Sequence, residues 1–576
     1  MFLKNDLQPA VATASAQSVG NANRQKQNDA FQFAGASEHA DFNHYSQNAG
    51  NDDMRRRPQP RQNPNAPTQK SRKNKPSKMM IIGIAVAVIV VALLVLILAL
   101  AITSDKHITY TNNAYIAYAD GTDYYVSANG KVLEHKFEGD VSVIPSADRS
   151  FAYIEEVTAD GVNLYLLEGR SLKQITLSPI TEVLAYASLE PGAVWCKDNK
   201  FYFYSEKVGE TYLGKDNIQK GNCLISGDAE TVVYTKEDKA NAAENDLFLY
   251  TKGSEEKLTS NCTPVAVSNY GDYVYVTPLE ENSLYYVTAK KKEQLPVEGS
   301  SDFAAILMMN RKGDEIIFAT KNSSDAISTS IFRLKKKTTS AMASSLLTVA
   351  PVDPSIAIYD SFANTYFTGT ITNEQGQIAH PTYHLSKKYE CNKISSFSGQ
   401  FSQDGDYFYY IKYSDSEEFG DLIQMDLNDE NRTKVSIFED VKDFAVTEKG
   451  NVYALNSDDE LRFYKRSANK KTPLSHEAEK ISFYSYANKL YFSEFNDSDV
   501  SVYFSEEGSD KEIAKFGKTQ ISNVPTFTQP NSKKTYVYFY SVDDNALMLF
   551  YTSNGKSFEL ISKNCNGISG VEIDYN

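Results

Sequence analysis

Histidines, cysteines and clustered carboxylates are the side chains that hold metals and move protons, and in this sequence they are few and scattered. Beyond residue 102 the histidines are His107, His135, His380, His384 and His476. His380 and His384 share the run QIAHPTYHLS, but Pro381 between them disfavours a helical i, i+4 ligand pair, so packed or surface rings are expected. The acidic runs Asp426-Leu-Asn-Asp-Glu430 and Asn496-Asp-Ser-Asp499 resemble pieces of calcium loops. They lack the full spacing and the glycine of such a loop, and read as solvated turns. A G-x-S-x-G nucleophile elbow, a CxxC pair and a Gly-rich phosphate loop are all missing. No catalytic, cofactor-binding or metal-binding residue is assigned, and the expectation is a protein that is not an enzyme and needs no cofactor.

The five cysteines, Cys196, Cys223, Cys262, Cys391 and Cys565, are too few and too widely spaced for a disulfide scaffold. Cys223 (GNCLIS) and Cys262 (SNCTPVAVS) sit at equivalent places in consecutive repeats, with Cys391 and Cys565 expected in similar positions. Neighbouring inner strands seldom bring Cα atoms within about 7 Å, so buried free thiols are expected. A large exported domain with so little cysteine fits a bacterial envelope.

Charge divides the chain sharply. Of 59 Lys/Arg and 74 Asp/Glu, residues 1–78 carry 12 and 6, leaving 47 and 68 beyond residue 102. The region 79–102, MMIIGIAVAVIVVALLVLILALAI, carries none. So acidic a large domain repels polyphosphate, which disfavours nucleic acid as a partner.

The uncharged stretch is 24 residues long. As a helix it would measure about 36 Å, enough to cross a hydrocarbon layer of about 30 Å, and only a helix satisfies its own backbone there. Upstream, nine Lys/Arg from Arg55 to Lys78 follow Asp53 without an acidic residue; downstream Thr103-Ser-Asp-Lys106 is nearly neutral. The positive-inside rule then predicts a single-pass protein of the cell membrane, with a cytoplasmic N-terminus and an extracytoplasmic C-terminal domain. The apolar stretch is too long, and its leader far too long, for a cleaved signal peptide. Residues 1–78, rich in Asn, Gln, Ala, Ser and Pro without apolar periodicity, are expected to be a disordered tail.

Beyond the membrane stretch, short aromatic and β-branched runs alternate with Gly, Asp, Asn and Ser turns. Residues 143–176 parse as a strand end, a turn over Ser146 to Ser150, the strands FAYIEE and NLYLLEG, and a last strand LKQIT. The same grammar returns at 225–259, 267–296 and 402–437, and near Asn451, Asn488 and Lys534. One aromatic per copy marks the second strand: Tyr118, Tyr153, Trp195, Tyr234, Tyr275, Phe318, Tyr366, Tyr410, Tyr453, Phe492 and Tyr538. Their mean spacing of about 42 residues is that of four-stranded propeller blades. The abundant rings, including the run Tyr407, Phe408, Tyr409 and Tyr410, are expected to fill the wedge between blades rather than to form a sugar platform.

Ser402-Gln-Asp-Gly-Asp followed by an aromatic strand, with NLYLLEG and a closing QIT, resembles the repeats of TolB-like propellers and of the N-terminal propeller of dipeptidyl-peptidase-type enzymes. The resemblance implies the fold over most of 110–576 and leaves function open, since that fold hosts scaffolds, peptidase gates and lyases.

The expected architecture is an all-β ectodomain of four-stranded antiparallel blades, in two tandem propeller regions at 103–340 and 341–576. A break in the rhythm is expected near 337–355; one propeller over 103–576 is the alternative. The first copy (Tyr115 to Phe137) lacks a strand of its own, and the C-terminal run GVEIDYN, residues 570–576, is expected to close a ring by pairing with an earlier blade. The functional expectation is a membrane-tethered binding or scaffold module for an envelope protein or glycan, with lipid contacted through 79–102. The alternatives are a sensor signalling through the tail and a propeller-type carbohydrate-active enzyme.

Overall fold

The computed structural model describes residues 113–568, apart from 216–217, 238–244, 325, 345, 352–358, 373–377, 414–417, 430, 518–523 and 542–544. The tail, the uncharged stretch 79–102 and the run 570–576 lie outside the described residues. Among the described residues no helix is long and apolar enough to cross a membrane. Helical structure there is confined to three-residue 3-10 turns.

The strands form antiparallel sheets that follow one another along the chain, a propeller-type arrangement. The successive blades occupy 115–132, 140–174, 182–215, 224–260, 262–296, 303–344, 346–395, 400–441, 441–477, 481–517 and 526–562. Each of the eleven marker aromatics lies in the second strand of its blade. First strands are half exposed, second and third strands buried, and fourth strands wet, as in Glu182–Tyr186, Thr231–Glu237, Ala546–Thr552 and Ser254–Ser260.

Both faces of a blade are covered, which explains runs that are apolar at consecutive positions. In Phe151–Thr158, Phe151 and Tyr153 pack toward blade 3 beside Trp195, while Ala152 and Ile154 pack toward blade 1 beside Val126. Eleven such apolar clusters lie between consecutive blades, and the last joins blade 11 to blade 1 through Tyr118, Tyr536, Leu547 and Ile568. The rhythm also continues where a break was expected near 337–355. Thr338–Ser344 is the fourth strand of blade 6 and Leu346–Pro351 the first of blade 7, and Ile317, Met342, Phe362 and Phe367 pack the two blades together. Small and hydroxylated residues there simply weaken the strand signal.

Two strands serve two blades each. Lys434–Val446 ends blade 8 and begins blade 9. Glu559–Ile568 ends blade 11 and then pairs with Tyr115–Asp120, matching Tyr118 with Ile568 and Asp120 with Cys565. Residues 565–568 thus supply the inner strand that the first repeat lacks. Among the described residues the closing pairing is made here, upstream of the 570–576 run to which it had been assigned.

The turn from first to second strand recurs in six blades with the same lock. The hydroxyl of Ser146, Ser226, Ser268, Ser402 or Thr447, or the amide oxygen of Asn310, accepts the backbone N–H four or five residues on. The fourth turn residue is left-handed: Gly271, Gly313, Gly405 and Gly450 at φ 70–74°, with Arg149 and Ala229 at φ 58° and 55°. Where glycine is absent the sequence motif looks degraded, yet the turn geometry persists.

Candidate functional site

The two ends of the blades differ in chemistry. First-to-second and third-to-fourth turns lie at one end of every antiparallel sheet; second-to-third turns and blade-to-blade connections lie at the other. The turn ends are aligned from blade to blade by hydrogen bonds: Ala147 N to Ser188 O (2.8 Å), Leu189 N to Gly227 O (2.8 Å), Asp228 N to Asn269 O (2.9 Å) and Arg311 N to Tyr359 O (2.6 Å). Further on, Glu448 N donates to Asn488 Oδ1 (2.9 Å), Tyr486 N to Pro530 O (3.0 Å) and Lys534 Nζ to Asn113 Oδ1 (3.2 Å). Asn113 Nδ2 then donates to Arg149 O at 3.0 Å.

Among described residues lying between strands, the turn end carries 20 Lys/Arg and 15 Asp/Glu. The connection end carries 13 Asp/Glu against three cations, Lys136, Lys220 and Lys480. The acids are thus shared between the ends, but without matching cations the connection loops are the net negative ones, as at Glu280-Glu281 and Asp458-Asp459, and Glu439-Asp440 of the crossing strand adds to them.

A pocket of about 450 Å³ opens where Lys434–Val446 passes between blades, lined by Ser436 to Glu439, Arg462 and Lys471 to Pro473. Ile437 and Phe438 are buried in its floor, and the Lys471 ammonium stands 5.5 Å from the Phe438 ring centre. Arg462 pairs with Glu460 at 2.8 Å. Its two cations stand beside carboxylates, since Glu439 also lines the pocket and Glu460 holds Arg462, so the lining favours no one class of ligand.

His476 is the one histidine held between carboxylates among the described residues. Its Nδ1 lies 3.0 Å from Glu494 Oε2 and its Nε2 3.7 Å from Asp510 Oδ2, with Phe492 and Tyr503 against the ring. It ties blade 9 to blade 10. His384 stacks on Tyr366 at 4.6 Å, and burial followed by the nearby Arg432 charge lowers its pKa. His380 meets Thr370 and His135 packs on Phe137, while His107 lies outside the described residues. No cluster of three or more His, Cys, Asp or Glu side chains among the described residues is arranged to hold a metal ion.

The acidic runs spend their oxygens locally. Asp429 accepts from the Asn431 and Thr433 amides, Asp426 from the Asn428 amide, and Asp499 pairs with Lys515 at 2.9 Å. Glu156, nearly buried, accepts from Glu138 N, Asn163 and Tyr165. Burial opposes its charge, yet these donors outweigh it and hold the carboxyl below its ordinary value. Within Tyr407–Tyr413, Phe408, Tyr409 and Tyr410 are buried between blades, and Tyr409 Oη donates to Gly450 O at 3.0 Å.

The five thiols are free, and all but Cys391 are buried. Cys223 and Cys262 stand just before and at the start of a first strand, as expected, and Cys565 stands where the shared strand passes to blade 1. Cys391 departs from the expectation: it opens the fourth strand of blade 7, Cys391–Ser395. Burial pushes the Cys223, Cys262 and Cys565 thiols up to about 12, which leaves them poor nucleophiles.

Sequence reasoning missed the pocket and the His476 tie, because their members come from separate strands and carry no local motif. No protein-family model matches the sequence, and no curated protein matches it. Solved structures similar in fold include the tricorn protease (10% identity, 75% of this chain, TM-score 0.25), of which the chain spans 57%. Others are a eukaryotic initiation factor (8%, 70% of this chain and 98% of that one, TM-score 0.35) and oligogalacturonate lyase in complex with manganese (9%, 68% and 96%, TM-score 0.25). At such distances the fold rests on sheet order and register.

Proposed function

We propose that this chain is a single-pass membrane protein whose extracytoplasmic, TolB-like propeller is a non-enzymatic binding or scaffold module at the cell envelope. The observation that carries the reading is the uncharged 24-residue stretch behind a run of nine cations, followed thirteen residues on by the first described strand, Tyr115–Asp120. The turn grammar supports the TolB-like type. The unbroken series of sheet-to-sheet clusters, closing from blade 11 onto blade 1, supports a single ring over 103–576 rather than two tandem propellers. In that ring the acidic connection loops are the binding surface, suited to an envelope protein or glycan that brings cationic groups.

Cross-linking in intact cells, followed by pull-down, tests the reading with the full chain and with a chain lacking residues 1–78. Envelope partners that survive the deletion support it. Loss of every partner with the tail favours the sensor alternative, and turnover of envelope glycans by the purified protein favours the enzyme alternative.

A further inference from the structure

The chain leaves the described residues at Asn113, and that point lies on the turn end. Asn113 bonds to the turns of three blades, through Arg149 O, Asn129 Nδ2 and Lys534 Nζ. Ten residues separate position 102 from Asn113. Fully extended they reach about 35 Å at most, so a membrane anchor at 79–102 is joined to this end, and not to the acidic one, by a short tether.

The turn end also carries 20 of the 23 cations found in the described inter-strand residues. They are densest on blades 5 to 7, at Lys290-Lys291-Lys292, Lys335-Lys336-Lys337 and Lys387-Lys388, all exposed. Lys292 pairs with Glu256 and Lys335 with Asp314. The other six have no acidic partner among the described residues. In a ring of eleven, blades 6 and 7 are the farthest from blade 1, where the tether enters.

We propose that this lysine arc is a lipid-contact surface: it binds anionic phospholipid headgroups of the membrane that anchors the chain and holds the ring with its turn end against the bilayer. A single tether at one rim would leave the ring free to swing. A cationic arc at the opposite rim gives a second point of attachment, and the acidic end is then presented outward and repelled from the same lipid. The inference rests on the membrane reading and single-ring closure proposed above.

The full chain, reconstituted in nanodiscs of phosphatidylcholine alone or with about one third phosphatidylglycerol, tests this by amine-labelling rates. Lys336, Lys337, Lys387 and Lys388 are expected to label several-fold more slowly in the anionic discs, with the difference abolished by 1 M salt (roughly a 3 Å screening length). Lys136 and Lys480 at the acidic end should label equally in both. A variant with Lys336→Glu, Lys337→Glu, Lys387→Glu and Lys388→Glu, checked for an unchanged melt, should free Lys290 and Lys291 to label at the neutral-disc rate. Equal labelling of the arc in both discs, with the chain inserted, overturns the lipid contact and leaves the anchor standing. A chain that does not enter discs at all overturns the membrane reading and the contact with it.

Discussion

Ring closure rests on a few residues, and shortening the chain tests it quantitatively. A chain ending at Asn564 loses Cys565 to Ile568 and everything after them. Burial of Ile568, 6% exposed, contributes about 2 kcal/mol. Asn566 exchanges two hydrogen bonds with Gly121, at 2.8 and 3.0 Å, and the pairing of Tyr118 to Asp120 adds about two more. At roughly 1 kcal/mol each these contribute about 4 kcal/mol. Ordering four residues costs roughly 1 kcal/mol apiece, so the net loss is about 2 kcal/mol. For roughly 450 residues the unfolding entropy is about 0.9 kcal/mol/K, giving a fall in Tm of about 2 °C. Calorimetry of three chains decides it: the full chain, one ending at Ile568 and one ending at Asn564. The chain ending at Ile568 should keep the closure contacts described here, and hydrogen exchange at Tyr118 to Asp120 should accelerate only when Asn564 is the end. If the chain ending at Asn564 melts with the full one, the closure reasoning fails. If both shortened chains melt equally low, the decisive contacts lie beyond residue 568.

Glu315 accepts from Phe362 N at 2.7 Å, from Ser361 Oγ at 3.2 Å and from Tyr389 Oη, tying blade 6 to blade 7. Glu315→Ala strands those donors and should cost about 2–3 kcal/mol, read as a lower urea midpoint at constant slope; an unmoved midpoint contradicts the tie. Asp404 is held well below the usual carboxylate range by Arg466 first and then by Ser402. Its folded value lies below its unfolded one, so the stabilisation is full above about pH 4 and is lost as pH falls through the folded value. Arg466→Met should therefore flatten the acid limb of the stability profile, and an unchanged limb would remove that pair from acid unfolding. The Cys223 and Cys262 thiols, pushed up to about 12 by burial, favour the neutral form. That preference is fully present below about pH 8.5 and is lost as pH climbs toward 12. Iodoacetamide at pH 8 should label both only in denaturant, and rapid labelling of the native chain would show the blades open there.

Repeat spacing and the second strand of each blade were legible because propeller physics repeats locally. Each blade needs an apolar second strand and an aromatic for the wedge, and six add the turn lock; these recur within one window of sequence, as Tyr153, Tyr234 and Phe492 show. The segment near 337–355 misled because Thr, Ser and Ala form strands when neighbours supply the apolar cover, here Phe362 and Phe367. Cys391 was misplaced for a related reason: local sequence does not number the strands within a blade.

By itself the sequence determined the uncharged stretch with its basic flank, the acidic excess beyond it and the blade rhythm, since each is a property of neighbours along the chain. Only the tertiary structure decided that residues 565–568 complete the first blade, that His476 meets carboxylates 18 and 34 positions away, and that the loop cations gather at one end while the acids divide between both. Those depend on strand direction and register. A charge in a turn belongs to one end or the other only once the strands before it have been counted and paired.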